Sequence, residues 1–81
     1  MVYDCHGKSH SFVKDDFENW LLINQFELPL EVITGNSEHM QRIVKGILDF
    51  YDFKYYIPPT NSGVIKVIYN EFKTTKPKSI R

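Results

Sequence analysis

The strongest periodicity along the chain is helical. Met40, Ile43, Val44, Ile47, Leu48 and Tyr51 recur at intervals of three and four, and Ser37-Glu38 just ahead of them reads as an N-cap with an acidic first turn. A second stripe of Val13, Phe17, Trp20, Leu21 and Asn24 falls at i, i+4, i+7, i+8 and i+11, with Lys14, Asp15, Glu18 and Asn19 on the opposite side. That spacing predicts an amphipathic helix of about three turns, capped by Ser9 or Ser11. Between and around the helices the pattern shortens to strands. Val2-Tyr3-Asp4-Cys5 ends at His6-Gly7, and Leu30-Glu31-Val32-Ile33-Thr34 ends at Gly35-Asn36. Phe53 to Ile57 and Val64 to Tyr69 flank the turn Pro58-Pro59-Thr60-Asn61-Ser62-Gly63.

The predicted order is therefore β-α-β-α-β-β. A strand-helix-strand unit makes the first two strands parallel, and two helices with one apolar face each most simply cover one side of the sheet. The expected fold class is α/β, specifically an α+β two-layer sandwich: a four-stranded mixed sheet with two helices on one face and the other face open. Residues 1–70 form its single domain, and residues 71–81, with Lys73, Lys76, Lys78 and Arg81 against Glu71 alone, read as a basic, flexible C-terminal tail.

Composition narrows the function classes. Ten Lys/Arg against ten Asp/Glu give zero formal net charge, which excludes binding nucleic acid by bulk positive charge. The single cysteine, Cys5, makes no intrachain disulfide and no multi-cysteine metal site, so the chain reads as intracellular and cytoplasmic. The longest apolar run, Trp20-Leu21-Leu22-Ile23, is far short of the ~20 residues that span a bilayer, and Met1-Val2-Tyr3-Asp4 lacks the features of a signal peptide. No membrane contact is expected, and residue 1 is expected to begin the mature protein.

Topology places the unusual residues. In a parallel unit the loops after strands one and two leave the same carboxyl edge, where open α/β sheets bind ligands. Those loops, Cys5-His6-Gly7-Lys8 and Thr34-Gly35-Asn36-Ser37, each lead into a helix N-terminus that favours anions. Gly7 and Gly35 can adopt positive φ and let a ligand approach the backbone. Strand alternation puts Asp4 and His6 on one face and Tyr3 and Cys5 on the helix-covered face, so Asp4 is positioned to orient His6 as a general acid or base. Alternation also exposes Val2, Asp4, Glu31, Ile33, Lys54, Tyr56, Val64, Lys66 and Ile68 on the open face. There Tyr56, between Lys54 and Lys66, offers a stacking surface for a base. The same partly apolar face equally suits a homodimer or partner contact.

Ser9 and Ser37 read as caps rather than nucleophiles, and His10 and His39 as exposed first-turn residues. A zinc site from His6, His10 and His39 lacks a fourth ligand, so no metal is expected. Cys5 points into the core, which argues against a nucleophilic role.

Asp4-Cys5-His6-Gly7 at the end of a first strand, a helix, a second strand ending in Thr34-Gly35, a second helix and a terminal strand pair closing on Gly63-Val64-Ile65-Lys66-Val67 together resemble the small MutS-related (Smr) domain family. In that family the first loop typically reads Asp-Leu-His-Gly and the second His/Thr-Gly-Lys-Gly. The resemblance spans about residues 2 to 69 and rests on order and spacing more than on identities. It implies the fold of the C-terminal domain of translation initiation factor 3, with the last strand inserted antiparallel between strands two and three. It also implies binding of DNA or RNA, and in several family members nicking of DNA or cleavage of RNA, including messenger RNA on the ribosome.

Two departures bear on activity. Cys5 replaces the usual leucine, and Asn36-Ser37 replaces Lys-Gly, removing a cation at the loop that would grip phosphate; Lys8 or Arg42 is the available substitute. Binding thus carries over better than cleavage. The resemblance implies a nucleic-acid-binding domain acting as a metal-independent endonuclease without cofactors, with His6 and Asp4 catalytic and Gly7, Lys8, Thr34, Gly35 and Asn36 as the phosphate-contacting edge; Arg42, and Lys54, Tyr56 and Lys66 of the open face, are the further candidates for holding the nucleic acid. The alternative is a non-catalytic adaptor of the same fold that binds RNA, ribosome or protein, as a monomer or weak homodimer. A domain without a fused partner module also resembles the compact proteins of phages.

Overall fold

The computed structural model describes residues 1–70, so the basic tail expected over 71–81 lies outside the described residues. The chain runs β1 (Val2–Asp4), α1 (His10–Ile23), β2 (Leu30–Ile33), α2 (Glu38–Phe50), β3 (Phe53–Tyr56) and β4 (Val64–Asn70). All six elements fall where the sequence pattern puts them.

The four strands form one mixed sheet in the order β1-β2-β4-β3. β1 and β2 are parallel, with Tyr3 opposite Val32. β4 enters antiparallel between β2 and β3, pairing Ile65 with Val32 on one side and Lys66 with Tyr56 on the other. On the β3 side the register shifts between Lys54, opposite Tyr69, and Tyr55, opposite Val67, leaving Ile68 as an extra residue in β4.

Each helix starts on a serine. Ser9 accepts a hydrogen bond from the Phe12 amide and Ser37 from the Met40 amide, both at 3.1 Å. The first of these resolves the choice between Ser9 and Ser11. Past α1, the Leu28–Pro29 peptide is cis and leads into β2.

Val13, Phe17 and Leu21 of α1 and Met40, Val44 and Leu48 of α2 are buried, and each trio repeats every four residues. They pack with Tyr3, Cys5, Leu30, Val32, Phe53, Ile65 and Val67 in one core, so both helices lie on the same side of the sheet. Fully burying a side chain such as Phe17 or Leu21 contributes about 1.5–3 kcal/mol. Tyrosines close the margins of the core with carboxylate partners. Tyr3 donates to Asp16 at 2.7 Å, Tyr55 to Asp49 at 2.9 Å, and Tyr51 to Glu18. Among the described residues no buried side-chain nitrogen or oxygen lacks a partner.

The opposite face of the sheet is open, as alternation predicts, with one correction. Val2, Asp4, Lys54, Tyr56 and Ile68 are exposed and Glu31, Ile33 and Lys66 half-buried, but Val64 is only 6% exposed. It pairs with Ile33 and follows directly on Gly63, where the 58–63 turn folds back against the end of β2. Alternation fixes the face of a residue and not what a neighbouring loop does to cover it.

Candidate functional site

The parallel pairing of β1 with β2 continues one step past the strands, where the Cys5 amide donates to the Ile33 carbonyl at 2.9 Å. The two loops that follow therefore start side by side at the carboxyl edge. Both turn on a left-handed glycine, Gly7 at φ 78° and Gly35 at φ 70°, a conformation that costs other L-residues about 1–2 kcal/mol.

In the first loop, the Lys8 amide closes the turn on the Cys5 carbonyl at 3.0 Å. The Asp4 carboxylate accepts from the backbone amide of His6 at 2.9 Å. Asp4 thus shapes the turn in the manner of an Asx motif, reaching the amide two residues on, and its observed bond is to the His6 main chain rather than to the imidazole. The His6 side chain is exposed. Lys8 lies along its own loop: Nζ donates to the Asp4 carbonyl at 2.7 Å and sits 4.7 Å from the Tyr3 ring centroid, a cation–π distance. An ammonium carries three donors, so two remain for a ligand. Cys5 is 3% exposed, and burial outweighs the lowering effect of Lys8 and pushes its thiol up to about 11. Such a thiol is a poor nucleophile at neutral pH.

The second loop is braced from behind. The amides of Thr34 and Gly35 both donate to the Gly63 carbonyl, at 2.9 and 3.0 Å. The Thr34 hydroxyl, in a residue 7% exposed, lies 3.2 Å from that same carbonyl and 2.9 Å from the Gly35 carbonyl. Gln41 of α2 donates to the Ser62 carbonyl at 2.6 Å and to the Gly35 carbonyl at 3.3 Å, and the Ser62 hydroxyl donates to Asn36 Oδ1 at 3.1 Å. Thr34 and the Gly35 amide, expected to contact phosphate, spend their bonds on this clamp. The exposed part of the loop is Gly35-Asn36-Ser37. The roles of Gln41, Ser62 and Gly63 are not legible in the sequence, since nothing in their spacing says that the turn between β3 and β4 returns to the end of β2.

The remaining candidates are spread out. Lys66 and Tyr56 pair across β4 and β3 on the open face, where the Lys66 ammonium is 3.3 Å from Glu31 Oε1. Lys54 is exposed on β3. Arg42 stands on α2, in a groove it shares with α1. At one end of that groove the rings of His10, the first residue of α1, and His39, the second of α2, lie 4.1 Å apart at 31°. Among the described residues, no three His, Cys, Asp or Glu side chains come together as a metal-binding group, and no helix is long and apolar enough to cross a membrane.

No protein-family model matches the chain, and no curated protein or solved structure matches it.

Proposed function

We propose that the chain is a nucleic-acid-binding domain similar to the Smr family, working on DNA or RNA in the cytoplasm, and that the phosphodiester backbone docks at the carboxyl edge of β1 and β2. The observation that carries this reading is the pair of left-handed glycines, Gly7 and Gly35, adjacent at that edge and each leading into a serine-capped helix. Left-handed backbone without Cβ atoms in both loops, two helix N-termini and the Lys8 ammonium favour an anionic chain at this edge. The exposed His6 beside it supplies the proton-transfer group for cleavage: the imidazole takes the proton of an attacking water or ribose hydroxyl as that oxygen bonds to phosphorus, the P–O bond to the leaving oxygen breaks, and the leaving oxygen gains a proton from solvent.

Binding and cleavage are separable. Fluorescence anisotropy with single-stranded DNA and RNA should give binding that weakens as salt rises, as counterion release requires, and that is reduced by Lys8→Gln. Absence of binding at low salt would sink the proposal. Nicking of supercoiled plasmid or cutting of labelled RNA in EDTA, lost in a folded His6→Ala variant, establishes the endonuclease. Binding without cutting leaves the adaptor, a reading favoured by the exposed apolar side chains Val2, Tyr56 and Ile68 on the open face.

A further inference from the structure

Beyond the helix N-termini, α1 and α2 flank an open groove of about 440 Å³, within the size range of small-molecule sites. Four basic side chains line it: His10 and Lys14 from α1, His39 and Arg42 from α2. Among the described residues that line it there is no Asp or Glu, although the whole chain carries as many acids as bases. Ile43 and Ile47, both half-buried, supply its apolar part. The imidazoles of His10 and His39, 4.1 Å apart and tilted by 31°, add aromatic surface at one end.

Gly46 is a further sign. Glycine is the poorest helix former after proline, yet this one sits inside α2 without a positive φ, and a Cβ there would meet nothing within 4 Å. Neither backbone geometry nor close packing calls for it. Its effect is to leave the groove wall open where Arg42, Ile43 and Ile47 surround it.

We propose that this groove is a nucleotide site, with the phosphate held by Lys14 and Arg42 and the planar base packed against the His10–His39 pair and the two isoleucines. The chemistry fits both halves of such a ligand. A guanidinium and an ammonium pair with a phosphate through charge-assisted hydrogen bonds, and imidazole faces stack on bases. The groove starts at the helix N-termini that follow the carboxyl-edge loops and runs on between α1 and α2; none of residues 5–8 or 34–37 lines it, and the proposal stands whether or not those loops bind a nucleic-acid strand.

Titration of isotope-labelled full-length protein with AMP, adenosine and inorganic phosphate, followed by amide chemical shifts, tests it. AMP should shift residues 10–14 and 39–47 saturably and bind at least ~10-fold more tightly than adenosine or phosphate alone. Arg42→Gln should weaken AMP by about tenfold. Gly46→Leu, which fills the groove at a position where a larger residue favours the helix, should abolish the shifts while the far-UV circular dichroism of the protein is kept. Equal affinity for inorganic phosphate and AMP, shifts centred on Gly7 and Gly35, undiminished binding in Gly46→Leu, or no shift at millimolar AMP would each overturn the proposal.

Discussion

The backbone of Gly63 lies against that of Gly35, so close that a methyl group on Gly63 would sit 3.2 Å from the Gly35 Cα. Gly35 has the complementary constraint: open space around it but a φ of 70°. Alanine at either position should destabilise the protein for different reasons, Gly63→Ala by forcing two backbones apart and Gly35→Ala by strain of about 1–2 kcal/mol. Asparagine tolerates the left-handed region, so Gly35→Asn should recover part of the loss and Gly63→Asn should not. Urea unfolding of the four variants separates the two causes.

Helix capping gives a sharper contrast. Ser9→Ala and Ser37→Ala should each cost about 1 kcal/mol, whereas Ser11→Ala, already inside α1, should stay within about 0.5 kcal/mol. Thermal midpoints of the three single variants decide this.

The tyrosine–carboxylate pairs set the alkaline limit of stability. Burial, reinforced by Asp49, pushes the Tyr55 phenol up to about 12, and burial with Asp16 raises Tyr3 further in the same direction. A phenol with a raised folded pKa favours the native state fully below its ordinary value of 10.0, and that contribution is lost as pH climbs from there through the folded pKa. Stability should therefore begin to fall above about pH 10. Ultraviolet titration should show Tyr3 and Tyr55 ionising only there or on unfolding, and earlier native-state ionisation of both would contradict it.

Cys5 should resist thiol reagents for the same physical reason. With the thiol raised to about 11 and nearly sealed from solvent, its modification at pH 8 should track global unfolding and accelerate in urea.

On the open face, Glu31 competes with any phosphate for Lys66. If a strand crosses that face, Glu31→Gln should tighten oligonucleotide binding, and Tyr56→Ala should cost about 1–3 kcal/mol by removing a stacking platform. Anisotropy unchanged in both variants would confine the nucleic acid to the loop edge. The ion pair itself is partly exposed, so its loss should change stability by at most about 1 kcal/mol.

Much of this molecule was legible in its sequence because two simple periods dominate it. Val13-Phe17-Leu21 and Met40-Val44-Leu48 announce the buried helix faces, and the left-handed turns at Gly7 and Gly35 follow from strands that must stop and reverse into helices. Long-range contacts were less accessible. Period two placed Asp4 beside His6 but could not choose between the ring and the nearer main-chain amide that it binds. Thr34 was legible as a loop residue and not as one buried under Gly63, because the partner lies 29 positions away and no local pattern encodes it. The meeting of His10 with His39, and the position of Arg42 in the same groove, likewise depend on how the two helices pack.

β4, the last strand among the described residues, is an inner strand of the sheet, between β2 and β3. β1, α1 and β2 can associate as soon as they exist, but β2 has one unsatisfied edge and β3 has no strand neighbour until β4 arrives between them. During synthesis the ribosome must therefore release residues 64–70 before the sheet can close. Until then a nascent chain leaves the β2 edge and β3 unpaired, and a chain stopped just before Val64 would lack the strand that joins them.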